Sequence, residues 1–132
     1  MPITHKINIL YIDGGAGFTV GLLLLLLLDR ISSLYNLPVS VVMFLGVANV
    51  CYGLYGITIA ASRFKNSASI SLLAIANGCW MVICTLLVLY HLKTASLIGL
   101  SFLSLEAIFV GFLAWFEWEN RYALSEVCAA EP

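Results

Sequence analysis

From Val41 to Ala60 the chain reads VVMFLGVANVCYGLYGITIA, and no charged residue stands anywhere between Arg30 and Arg63. Crossing ~30 Å of hydrocarbon takes about 20 helical residues, so this stretch dictates a membrane span. Within it Gly46, Asn49, Gly53, Gly56 and Ala60 recur at spacings of three and four, which places small residues and one amide on a single helical seam. A seam of that kind draws other helices close.

The rest of the composition agrees with a membrane setting. The chain is 62% hydrophobic and 10% charged, with a mean hydropathy of +1.04, far from the roughly one-quarter charged mixture of soluble domains. Its 132 residues supply four spans and leave no length for a soluble catalytic domain. A net charge of −1 offers no basic face, which excludes nucleic acid as a partner. Of the four cysteines, Cys51, Cys79 and Cys84 fall inside expected spans and Cys128 in the tail; none forms a C-x-x-C pair, so neither a disulfide framework nor a thiol redox centre is expected.

Taken in order, the expected spans are 7–28, 38–62, 70–91 and 95–116, giving an all-α integral membrane protein, an antiparallel bundle of four transmembrane helices. Lys6 and the apolar run after it suggest a signal peptide only superficially. That run is long, contains Asp13 and lacks a small-x-small cleavage site, so it reads as an uncleaved first span. Span one carries Gly14, Gly17 and Gly21 at helical spacing, a groove facing the Gly46, Gly53 and Gly56 seam, followed by the faceless run Leu22 to Leu28. The segment 29–37 is a polar connection closed by Pro38, and RFKNSAS (63–69) turns spans two and three into a hairpin. Span four is expected to leave the membrane as a helical extension from Glu117, with Trp115, Trp118 and Tyr122 as an interfacial belt and a disordered tail. Lys6, Arg63, Lys65 and Arg121 against Arg30 and Lys93 put both termini in the cytoplasm.

Two short stretches resemble each other: Ala48-Asn49-Val50-Cys51-Tyr52 lies in register over Ala76-Asn77-Gly78-Cys79-Trp80. If this is a repeat, its copies run through the membrane in opposite directions.

The candidate site consists of the polar groups at depth. Asn49 and Glu106 fall near the centres of their spans and Asn77 slightly off its own. An ionised carboxylate at mid-membrane costs ~2.5 kcal/mol or more, so Glu106 is expected to face the interior, to be protonated or to have a partner. Asn49, Asn77, Tyr52, Tyr55, Ser101 and Ser104 are the available partners, with no Lys or Arg at that depth. Asp13 has two readings, an interfacial carboxylate near Lys6 or a buried site residue above the glycine groove. His91 with Lys93 reads as an interfacial pair, and no spacing suits a metal ion or cofactor.

These groups hold either interhelical hydrogen bonds of ~0.6–2 kcal/mol each, in a purely structural protein, or a cavity for a small ligand, proton or cation. The expectation is binding or transport, or service as a compact subunit of a membrane assembly. The partners would be the lipid bilayer, a second copy or another membrane subunit, and a lipid or small hydrophobic ligand. The alternative is an enzyme acting on a lipid, sterol or quinone with Glu106 and Asp13 as acid and base. The absence of a second mid-membrane titratable group argues against it.

Overall fold

A computed structural model describes residues 3–62 and 66–126, with side chains from Asn8 to Ser62 and from Asn66 to Ser125. Arg63 and Lys65 of the central turn, the Lys6 side chain, Cys128 and the tail 127–132 lie outside the described residues. Five helices follow one another: α1 (Ile3–Leu26), α2 (Leu28–Tyr35), α3 (Val39–Ala61), α4 (Ser67–Tyr90) and α5 (Leu97–Glu126). Four of them are long and apolar enough to cross a membrane, and the protein is a multi-pass helical membrane bundle.

α1 packs on α3 and α4 packs on α5, while approaches between these two pairs are few. The first pairing rests on glycine. A Cβ at Gly14 would stand 2.6 Å from the Ile57 backbone nitrogen, and one at Gly21 would stand 2.6 Å from that of Val50. Gly53 meets the Phe18 backbone, Gly17 meets Tyr52, Gly56 meets Gly14 and Gly46 meets Leu25. The backbones touch where side chains would hold them apart. The short turn between α3 and α4 predicts a closely packed hairpin, but the two helices meet only sparsely because the glycine seam of α3 is spent on α1.

The polar connection 29–37 is helical over most of its length. Its Leu28, Ile31 and Tyr35 pack against the cluster of Leu24, Leu37, Val42, Leu45 and Leu103 while Asp29 and Arg30 stay exposed, which is the pattern of an amphipathic helix, α2. Asn36 ends it in the left-handed conformation (φ 51°), which Asn tolerates better than most residues. It also donates from Nδ2 to the Thr94 carbonyl at 2.5 Å. Ser96 Oγ donates to the Leu34 carbonyl at 2.8 Å, and the Ser96 N–H to that of Tyr35 at 2.8 Å. These three bonds tie α2 to the turn between α4 and α5.

α5 continues past Phe116 and stays packed against the bundle. Leu124 is fully buried with Leu10, Ile59, Ala60, Ile70 and Leu73 in a second apolar cluster, at the end opposite to the first. Trp115, Trp118 and Tyr122 do face outward, and Arg121 stacks on the last two rings. The polar groups lie between the two clusters.

Candidate functional site

The stretches Asn49-Val50-Cys51-Tyr52 and Asn77-Gly78-Cys79-Trp80 each put an amide and an aromatic N–H or O–H donor about one turn apart on one helix face. The helices run in opposite directions, so the order of amide and aromatic is reversed in depth. At one level Asn49 Nδ2 and Trp80 Nε1 both donate to Glu106 Oε1, at 2.9 and 2.8 Å. At the other, the Tyr52 hydroxyl donates to Asp13 Oδ2, and Asn77 Nδ2 donates to the same oxygen at 3.3 Å. Each acid therefore receives one amide and one aromatic donor, one from α3 and one from α4. Asn49 also donates to the Leu45 carbonyl of its own helix at 2.9 Å.

Asp13 is 2% exposed. It lies near the midpoint of α1 because that helix begins at Ile3, several residues before the expected start of the span. Of its two readings, the buried one describes its place. Beside it stands a third acid, one that the sequence pattern places outside the membrane. Glu117 is fully buried, accepts from Asn77 Nδ2 at 2.9 Å and lies within hydrogen-bonding reach of Asp13. Glu106 is thus not alone as a charge-capable group in the interior. The missed signal is helical spacing, since Glu106, Val110, Leu113 and Glu117 follow at intervals of four, three and four and share one face of α5.

Between the levels opens a cavity of about 340 Å³, with Asp13, Asn49, Tyr52, Asn77, Trp80 and Glu106 in its wall. Phe102, Phe109 and Val110 of α5 and the small residues Ala16, Gly17, Ala48 and Ala76 also line it. Among the described residues no Lys, Arg or His lines it. Glu106 Oε2 and Glu117 Oε1 are buried without a hydrogen-bond partner. A buried carboxyl oxygen left this way has lost its water and gained nothing in return.

The remaining expected residues fall elsewhere. Tyr55 packs against the Leu10 cluster and does not line the cavity. Among the described residues the partners of Glu106 are Asn49 and Trp80, not Ser101 or Ser104. His91 is buried at the end of α4 with Nδ1 3.3 Å from Thr94 Oγ1 and the Tyr90 ring edge-on to it, whereas Lys93 is exposed. Gly14, Gly17, Gly21, Gly46, Gly53 and Gly56 lie between α1 and α3, and Gly17 alone of the six also borders the cavity. Among the described residues no three His, Cys, Asp or Glu side chains are grouped to hold a metal ion.

A search of protein families, of curated proteins and of solved structures returns no match for this chain.

Proposed function

We propose that the protein binds a small amphipathic molecule within the membrane, its apolar part among the aromatic rings of the cavity and its polar end on Glu106. The observation that carries this reading is Glu106 itself. Its Oε1 is fixed by two donors, Oε2 is buried without a partner, and the residue lines the cavity. A carboxyl oriented on one side and unsatisfied on the other is arranged to accept a hydrogen bond or a charge from an occupant. Transport is the further step of this reading, supported by a cavity that lies where two loosely joined helix pairs face each other. An enzyme using Glu106 and Asp13 as acid and base is the weaker alternative, because Asp13 Oδ2 already receives Tyr52 and Asn77.

Hexanol is a suitable probe, being short enough to leave a nonionic detergent micelle and carrying one hydroxyl donor. We expect it to raise the Tm of the parent saturably and to have no effect on Ala76→Trp, whose indole fills the cavity. Glu106→Gln should fold normally and bind hexanol about tenfold more weakly, since a charge-assisted hydrogen bond becomes a neutral one. No saturable shift in the parent would sink the reading. So would a Glu106→Gln variant that binds as the parent does while Glu106→Ala merely loses stability, for the carboxyl would then be helix glue.

The lysine and arginine distribution supports termini in the cytoplasm. A tag on the C-terminus should stay shielded from a membrane-impermeant maleimide in intact cells and react once they are opened. Labelling in intact cells would reverse the orientation.

A further inference from the structure

Asp13 and Glu117 stand side by side in the interior, and their hydrogen bonds are not alike. Asp13 takes the Tyr52 hydroxyl and the Asn77 amide on one oxygen and has the Glu117 carboxyl within reach, whereas Glu117 receives only Asn77. Two buried carboxyl groups in hydrogen-bonding contact, with no cation beside them, hold at least one proton between them. The donors converge on Asp13, so the proton belongs to Glu117. Its Oε1, which meets no donor, is the oxygen of an acid rather than of a carboxylate. Glu117 then becomes a third donor to Asp13.

From this we infer that Asp13 is a fixed negative charge in the wall of the cavity, held ionised by Tyr52, Asn77 and protonated Glu117, and that the natural occupant is an organic monocation. The proposal rests on the cavity being a ligand site and adds the class of ligand. The surroundings suit such a cation. Tyr52, Trp80, Phe102 and Phe109 present aromatic rings around the acids, and the lining supplies no competing positive charge. Aromatic faces attract alkylammonium groups most strongly where water is excluded. A carboxylate held by three donors provides the counter-charge without reorganising when the ligand arrives. Glu117 is a positioning residue here. Its own carboxyl is absent from the cavity wall.

The test compares hexyltrimethylammonium, hexanol and hexanoate by saturable thermal stabilisation in a nonionic detergent. Hexyltrimethylammonium carries a permanent charge and no proton of its own, so its binding reads charge alone. We expect it to bind the parent at least about tenfold more tightly than hexanol, with hexanoate weakest. In Asp13→Asn, where the isosteric amide keeps the Tyr52 contact, the preference should fall several-fold to what the Glu106 carboxyl alone supplies, and with Glu106→Gln added the two should bind equally. In Glu117→Gln, whose amide still donates to Asp13, the preference for the cation should persist. Equal binding of the cation and hexanol to the parent overturns the inference and leaves the cavity reading standing, and a preference undiminished in Asp13→Asn does the same. Should Asp13→Asn not fold, the ratio of cation to hexanol affinity in the parent decides between the outcomes. If none of the three binds, both readings fall together.

Discussion

Gly53→Leu is expected to unfold the bundle in detergent. A Cβ at this position would collide with the Phe18 backbone and stand 2.7 Å from the Gly14 carbonyl oxygen, so the obstacles are main-chain atoms rather than side chains that can turn away. Accommodating Leu means moving α1 bodily off α3, which also separates Gly14 from Ile57 and Gly21 from Val50 along the same seam. Overpacking costs about 1–3 kcal/mol even where side chains can adjust, and a backbone contact lies at or above the top of that range. That is a large share of the marginal stability of any small protein. Gly15→Ala is the control, because nothing lies within 4 Å of its Cβ position and alanine favours the helix by about 0.5–1 kcal/mol. Thermal unfolding followed by circular dichroism separates the two. A Gly53→Leu protein melting within a degree or two of the parent would mean that α1 and α3 do not touch along this line.

Asn77→Leu is the second substitution with a large expected effect. It keeps nearly the same volume but removes the amide that serves both Asp13 and Glu117. Two buried acids would then face a methyl group. Stranding buried hydrogen-bonding groups costs about 1–3 kcal/mol each, and more for a charged one, so a loss of about 2–5 kcal/mol is expected. The sign of the coupling makes the test specific. With Glu117→Gln already in place, one acid no longer needs the amide, and Asn77→Leu should cost measurably less than it does in the parent. Strictly additive losses would show that Asn77 does not join the two acids.

The membrane class, the number of spans and the small-residue seam are all readable in the residues, because each rests on a local period: unbroken hydropathy for the spans, intervals of three and four for Gly46, Gly53 and Gly56. The partner of the seam is readable too, since Gly14, Gly17 and Gly21 repeat the same interval. What the residues conceal is where helices start and stop. Asp13 looks peripheral only if α1 begins near Ile7; four more residues of helix at its N-terminus bring the acid near the middle of the helix. Glu117 looks external only if the fourth span ends at Phe116. The aromatic belt at Trp115, Trp118 and Tyr122 suggests such an end, yet the opposite face of the same turns is buried through Leu124. The role of Trp80 is hidden for another reason. It comes from tertiary placement, in which antiparallel crossing of two similar stretches hands the indole of one and the amide of the other to the same carboxyl.

The division of the bundle into α1 with α3 and α4 with α5 has a mechanical side. Each pair is a stiff plate, and along one edge the plates are stitched by Asn36 to Thr94 and by Ser96 to Leu34 and Tyr35. A change of angle about that stitched edge bends no helix and breaks no glycine contact; what resists it are the Asn49–Glu106 and Asn77–Asp13 bonds and the Leu124 cluster, which cross between the plates. The cavity lies in the gap between the plates, so any such change of angle alters its width.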